Sequence, residues 1–144
     1  MRTYAIGRKS ITPTVGNDLL TIIAPANKAI RIKRIRASGE ALASTAMRTL
    51  IQRSTGGSGS IPLTPEKTST TDPAAGSTIV QVWLTTQPTP SGNPLYSEGW
   101  NAFGGGFDLT LDGREIYLVN AEQLSIRADL GTGLMDLDVE FEEL

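Results

Sequence analysis

The sequence predicts an all-β protein, an antiparallel β-sandwich of eight or nine strands for which a jelly roll is the expected topology. Three observations favour this fold. Apolar and polar residues alternate with a period of two in several short stretches, turn signals separate these stretches, and helical periodicity is nearly absent. We expect one sandwich domain over 18–144, preceded by an N-terminal arm or edge strand over 1–17.

The first third of the chain contains three stretches of strand character. Residues 1–17 begin with a short alternation around Tyr4 and Ile6 and end in turn-forming residues, which is why an arm or edge strand is expected. Residues 18–24 are short and apolar. In residues 29–38 the apolar side chains change faces between Ile32 and Ile35, which predicts a β-bulge because one extra residue reverses every later side chain.

The bulged strand presents a cationic row on its outer face. The row consists of Arg31, Lys33, Arg34 and Arg36. We weigh two interpretations: the row forms cross-strand ion pairs with the acidic residues of the last strand (134–144), or it faces an acidic surface of a partner.

The middle of the chain combines two further strands with long irregular segments. Residues 47–53 and 78–86 read as strands, and Trp83 lies on the less apolar face of the second. The segment 87–106 is rich in proline and glycine, yet it contains Tyr96, Trp100 and Phe103. We interpret it as a long loop whose aromatic side chains contact a partner, bind a sugar or cap the open end of the sandwich.

The clearest alternation lies in the last residues. In 134–144 apolar residues (Met135, Leu137, Val139, Phe141) alternate with acidic ones (Asp136, Asp138, Glu140, Glu142). Residues 123–130 repeat the apolar-polar pattern, and Gly131-Thr132-Gly133 separates the two runs. This arrangement predicts a β-hairpin with a three-residue loop.

Charge is divided unevenly along the chain. Residues 1–72 hold eleven Lys and Arg against four Asp and Glu, whereas residues 73–144 hold two against eleven, so halves of +7 and −9 give the net charge of −2. Basic and acidic strands side by side in one sheet, or facing each other across a subunit contact, explain this division. An arm that binds nucleic acid would need a denser basic run, so nucleic acid is not an expected partner.

Composition removes several kinds of site. The chain has no cysteine and no histidine, so thiolate chemistry, imidazole bases and the commonest metal ligands are absent. We expect no catalytic residue, no cofactor and no metal site. No apolar run approaches the roughly 18 residues of a membrane span, so a membrane is not expected as a partner.

Several segments together carry a family resemblance. They are APANKAIRIKRIRAS (24–38), the run from QRSTGGSGSIPLTPEK to DPAA (52–75), Tyr96 to Leu109 with WNAFGGGFDL, and the final QLSIRA and DVEFEE. In this order, over 19–144, they resemble the small single-jelly-roll structural proteins of tailed-bacteriophage virions, which are generally capsid decoration (cement) or minor virion proteins. The resemblance implies a non-enzymatic homotrimer that is made in the host cytoplasm and binds the major capsid protein in the virion.

The resemblance suggests which residues contact the capsid and which contact a neighbouring subunit. The capsid-contact candidates are Arg2, Arg8, Lys9, Arg31, Lys33, Arg34 and Arg36; the subunit-contact candidates are Trp83, Tyr96, Trp100 and Phe103. The main rival is a carbohydrate-binding jelly-roll module that uses the aromatic loop 87–106, and a tail, neck or head-fibre component is a further alternative. A glycoside hydrolase built on two carboxylates, for instance among Glu98, Asp108 and Asp112, is the enzymatic rival.

Overall fold

The computed structural model describes residues 2–144, which form β-strands and the loops between them. The strands are β1 (Arg2–Ile11), β2 (Asp18–Ile23), β3 (Ile30–Gly39), β4 (Ala46–Thr55), β5 (Ser58–Pro62), β6 (Glu66–Lys67), β7 (Thr78–Thr86), β8 (Thr89–Pro90), β9 (Tyr96–Asn101), β10 (Gly106–Thr110), β11 (Ile116–Leu118), β12 (Gln123–Leu130) and β13 (Met135–Glu143). Within residues 2–144 no helix is long and apolar enough to cross a membrane.

These strands form two antiparallel sheets that pack face to face. Sheet A has the order β10-β3-β13-β1-β6, with β11 also beside β3; sheet B has the order β5-β7-β2-β12-β4-β8, with β9 also beside β4. The apolar side chains of both sheets meet in one core. The predicted β-sandwich is confirmed. Residues 2–144 contain thirteen strands, more than the eight or nine expected, because short strands also form in segments read as irregular.

The strand order is compatible with the predicted jelly roll. Among the longer strands, sheet A holds β1-β13-β3-β10 and sheet B holds β2-β12-β4-β9 as neighbours. The chain crosses from one sheet to the other between β1 and β2, β2 and β3, β3 and β4, β9 and β10, β11 and β12, and β12 and β13, and it also enters sheet A briefly at β6. Such repeated crossing places consecutive strands on opposite sides of the core.

The predicted hairpin over 123–144 is wrong. The strand β12 pairs with β2 and β4 in sheet B, whereas β13 pairs with β1 and β3 in sheet A. Gly131 makes the crossing possible, because its φ is +86° and a Cβ there would overlap the carbonyl oxygen of Ala46. Alternation identifies the buried face of each strand, but it does not distinguish a neighbour in the same sheet from one across the core.

The predicted bulge in β3 is confirmed. Ile32 pairs with Phe141 and Arg34 pairs with Glu140, so Lys33 is the extra residue. The bulge therefore brings the adjacent Lys33 and Arg34 to the outer side of sheet A.

The stretch predicted as an arm or edge strand contains β1, which is part of the sandwich. Its side chains Tyr4 and Ile6 are buried in the core, and the Tyr4 ring stacks on Phe141 with centroids 5.5 Å apart. On one side β1 pairs with β13 along most of its length, and on the other it has only the two-residue β6. Met1 lies outside the described residues.

Candidate interaction surfaces

Each side chain of the cationic row has a carboxylate partner on a neighbouring element. The closest pairs are Arg31–Glu142 (2.5 Å), Lys33–Glu115 (3.2 Å), Arg34–Asp108 (2.5 Å) and Arg36–Asp138 (2.7 Å). The predicted pairing with the acidic last strand holds for Arg31 and Arg36, whose partners lie on β13. It is wrong for Lys33 and Arg34, which pair with carboxylates in or next to β10 and β11. An acidic partner surface would have to compete with these carboxylates for the row.

The three remaining basic candidates lie on β1 in different surroundings. Lys9 is exposed and Arg2 is partly buried, and neither forms an ion pair with another described residue. Arg8 is partly buried between the sheets, where its Nη1 donates hydrogen bonds to the carbonyl oxygens of Leu19 and Gln81. Arg2 and Lys9 are thus available to a partner on the outside, and Arg8 is available only through a cavity.

The interpretation of 87–106 as one long loop is wrong. It contains β8 and β9, and β9 pairs with β4 over six residues. Tyr96 and Trp100 alternate with polar residues along β9 and pack against the core. The prolines and glycines around this six-residue strand give the segment the composition of a loop, and a strand this short shows little periodicity.

Most of the aromatic candidates have contacts inside their own chain. Trp83 and Trp100 donate their Nε1–H groups to the side-chain oxygens of Thr21 (2.8 Å) and Thr49 (3.1 Å) respectively. The Trp100 ring also meets Phe107 edge to face, with centroids 6.1 Å apart. Only Phe103 of the four subunit-contact candidates is largely exposed, at 61%.

Phe103 belongs to one end of the sandwich at which four connecting loops meet. These loops, 12–17, 40–45, 102–105 and 131–134, each join a strand of sheet A to a strand of sheet B, and we call them the loop end. Backbone hydrogen bonds tie 40–45, 102–105 and 131–134 to one another, and Gly16 N–H in 12–17 donates to the carbonyl of Ala128 on β12 (2.7 Å). Glu40 N–H donates to the carbonyl of Leu134 (2.8 Å), and Ala41 N–H donates to the carbonyl of Ala102 (3.0 Å). The loop end is therefore an interlocked surface.

Large apolar side chains project from the loop end. Leu42 is 97% exposed, and it follows Ala41, whose backbone is bonded to the residue just before Phe103. Val15 and Leu130, at the same end, are also exposed. Sequence reasoning missed Leu42, since one leucine in a loop of small residues carries no periodic signal. Several large exposed apolar side chains at one end of a structured domain make that end a candidate interaction site.

The outer face of sheet B carries a buried polar network. At its centre the Asp18 carboxylate accepts hydrogen bonds from Thr21 Oγ1 (2.6 Å), Ser125 Oγ (2.5 Å) and Arg127 Nε (3.1 Å). The segment 88–92 lies over this network, because Arg127 Nη2 also donates to the carbonyl of Pro88 (2.6 Å). The alternation predicted these polar side chains to face water, and a distant part of the chain covers them instead.

The carboxylates considered for metal binding or hydrolysis can be located in the structure. Among residues 2–144 no group of three or more Asp or Glu side chains is placed to hold a metal ion. Asp108, one of the three carboxylates considered for a hydrolase, is engaged by Arg34. Comparison of the chain with family models, curated proteins and solved structures found no match. The resemblance to phage decoration proteins therefore stays a prediction.

Proposed function

We propose that this chain is a non-enzymatic structural protein of a tailed-bacteriophage virion, a capsid decoration protein that binds the outer shell as a homotrimer. The observation that carries the proposal is the loop end, where Leu42 is 97% exposed on loops held by hydrogen bonds. A β-sandwich whose connecting loops are held by hydrogen bonds suits a protein that functions by binding. The sequence resemblance supplies the shell as the partner.

The loop end suits a contact between subunits. Removing apolar surface from water contributes about 25 cal/mol of favourable free energy per Å², so burying Leu42 and Phe103 favours association. Because the loops are already fixed to one another, little conformational entropy is lost when they are covered. A closed ring needs one such patch on each subunit, meeting a different patch on the next.

The contact with the shell is assigned to another part of the surface. Arg2 and Lys9, like Arg8, form no ion pair with a carboxylate of the described chain, and unlike Arg8 they are not held between the two sheets. They are the remaining outward-facing basic candidates once the cationic row is paired within sheet A. The partner in this proposal is the major capsid protein.

Light scattering on the purified chain tests the assembly. We expect a mass near three times the 15.3 kDa of one chain. The double variant Leu42→Ser, Phe103→Ser should be a folded monomer at the same concentration, and Leu84→Ser, which changes a side chain that is 69% exposed on β7, should stay trimeric. A double variant that remains trimeric would remove the loop end from the subunit contact.

Co-sedimentation with shells of the corresponding major capsid protein tests the partner. The wild type should pellet with shells, and Arg2→Gln combined with Lys9→Gln should pellet less. The difference between the two should shrink as salt is added, because salt screens the two charges in the wild type. A wild type that stays in the supernatant as a trimer would contradict the shell as partner and leave the oligomer intact.

A further inference from the structure

A cavity of about 200 Å³ opens beside the paired edges of the two sheets, on the side where β1 faces β2 and β7. Its wall includes Arg8, Thr12, Asn17, Gln81, Trp83 and Gln87. At about 30 Å³ per water in the liquid, this volume equals that of six or seven waters, roughly one six-membered sugar ring. We call it the Arg8 pocket.

Arg8 differs from the arginines of the cationic row, because no described carboxylate forms an ion pair with it. Both of its hydrogen bonds use Nη1, and they fix the guanidinium against the carbonyls of Leu19 and Gln81. No buried side-chain nitrogen among the described residues lacks a partner, so the unused Nε and Nη2 reach solvent. Burial lowers the pKa of Arg8, which shows a cation desolvated without a counter-charge.

The other charged residue of the pocket wall is already neutralised. Asp18 contributes to the wall, but its side chain is only 1% exposed and its carboxylate is bonded to Arg127, Thr21 and Ser125. The accessible charge in the pocket is therefore positive. An anionic ligand would meet Arg8 without opposition from a free carboxylate.

Polar side chains around Arg8 are free to bind hydroxyl groups. Thr12, Thr14 and Asn17 line the pocket, and their side chains form no hydrogen bond with the described part of the chain. Gln87, by contrast, is fixed: its Oε1 accepts from the backbone N–H of Asp18 at 2.9 Å. The pocket thus has one rigid side, and three side chains that can still donate or accept hydrogen bonds.

Trp83 supplies a rigid aromatic wall. Its Nε1–H donates to Thr21 Oγ1, and the benzene half of the indole lies against Gly57, where a Cβ would come within 2.8 Å of the ring. The indole is thereby held from two directions. A flat apolar wall next to hydroxyl and amide groups is the usual composition of a pocket for a polar ring.

We propose that the Arg8 pocket binds a sugar acid of monosaccharide size. Arg8 receives the carboxylate through Nε and Nη2, since a guanidinium matches a carboxylate with two parallel hydrogen bonds. The uncommitted Thr12, Thr14 and Asn17 side chains bind the ring hydroxyls, and Trp83 contacts the C–H face of the ring. This inference rests on the pocket alone. Because loop 12–17 belongs both to the pocket and to the loop end, it requires that the subunit contact leave this loop uncovered.

The chain offers a direct assay because it has two tryptophans, Trp83 and Trp100. In ¹⁵N–¹H spectra, glucuronate or galacturonate should shift the Trp83 indole signal saturably and leave the Trp100 signal in place. A dissociation constant of about 1 mM is expected for a ligand of this size. Neutral glucose and free acetate should each bind at least about tenfold more weakly, because each lacks half of the contacts.

Variants separate recognition from folding. Arg8→Gln should abolish the preference for glucuronate over glucose, and Arg8→Lys should retain part of it. Asn17→Ala should weaken both sugars, while Arg36→Gln, an equal charge change on the outside of sheet A, should change nothing. Spectral dispersion checks that each variant is folded.

Three outcomes would overturn the proposal. They are no shift of Trp83 with either sugar acid, an acetate affinity equal to that of glucuronate, and an Arg8→Gln variant that keeps the wild-type preference. Equal acetate affinity would mean that the ring makes no contact with the pocket. A retained preference in the Arg8→Gln variant would mean that Arg8 does not receive the carboxylate. Because the assay reads binding at Trp83, it is separate from the light-scattering test of the trimer.

Discussion

The outer faces of the two sheets carry the same kind of ion pair in opposite surroundings. On sheet A, Arg36 and Asp138 are 2.7 Å apart with side chains 49% and 44% exposed. On sheet B, Arg127 and Asp18 are 3.1 Å apart with side chains 12% and 1% exposed. The exposed pair is the shorter, yet water solvates both of its groups when the pair is broken. The contribution of each pair to the stability of the fold therefore depends on its burial and not on its length.

Asp18→Ala should have the largest effect, because it leaves the Arg127 guanidinium and the hydroxyls of Thr21 and Ser125 without their acceptor in a buried site. We expect a loss of about 3–5 kcal/mol in the free energy of unfolding. Urea titration measures it, and Asp138→Ala on sheet A is the matched control, with an expected loss of about 0–1 kcal/mol. Equal losses in the two variants would refute the distinction between the faces.

Glu143→Ala tests whether a buried carboxylate stabilises the fold when it forms no ion pair with a described residue. The Glu143 carboxylate is buried and accepts hydrogen bonds from Gly76 N–H (3.1 Å), Ser77 N–H (2.8 Å) and Ser77 Oγ (2.7 Å). Its loss should cost about 1–3 kcal/mol and speed hydrogen exchange at Gly76 and Ser77. Glu140→Ala, on the exposed side of β13, is the control. If exchange at the two amides stays unchanged, Glu143 does not hold this segment.

Acid should weaken sheet A by a smaller amount. Hydrogen bonds from Arg34 hold the pKa of Asp108 below its ordinary 3.8, and the backbone N–H of Glu115 together with Lys33 holds the pKa of Glu115 below 4.5. The unfolded chain therefore binds more protons, so this stabilisation is present above the ordinary values and is lost as pH falls through the folded ones.

The slope of unfolding free energy against pH, measured between about pH 2 and pH 5, tests this. Arg34→Gln should make the slope shallower, because it raises the folded pKa of Asp108 toward the ordinary value. Lys28→Gln, which removes a cation that forms no ion pair among the described residues, should leave the slope as it is. An unaltered slope in the Arg34 variant would show that the pair contributes nothing.

The sequence predicted those parts of the fold that depend on local periodicity. Alternation in 134–144 and the parity change around Lys33 are confirmed as strand β13 and the bulge in β3. The hairpin prediction was wrong because a strand can bury its one apolar face equally well beside the preceding strand or across the core from it. That choice depends on the whole set of strand pairings, which no single segment contains.

The candidate surfaces were less predictable, for a similar reason. Ser125 and Arg127 alternate with apolar residues along β12, as solvated residues do, yet their hydrogen-bond partners include Ser54 and Pro88, which are distant in the chain. Leu42 lacks any pattern that separates it from a buried leucine. Trp83 was correctly placed on a face that is partly covered, but the pocket beside it requires Arg8, which is 75 positions away in the chain.

The central positions of β12 and β13 have a consequence for how the protein is made. The strand β12 lies between β2 and β4, and β13 lies between β1 and β3, so sheet B lacks its middle strand until residue 130 has been made, and sheet A until residue 143. Until then the earlier strands expose apolar faces and unpaired edges, which makes the nascent chain prone to aggregation. Folding therefore waits for the last strands, and the distant pairing of β1 with β13 makes it slow.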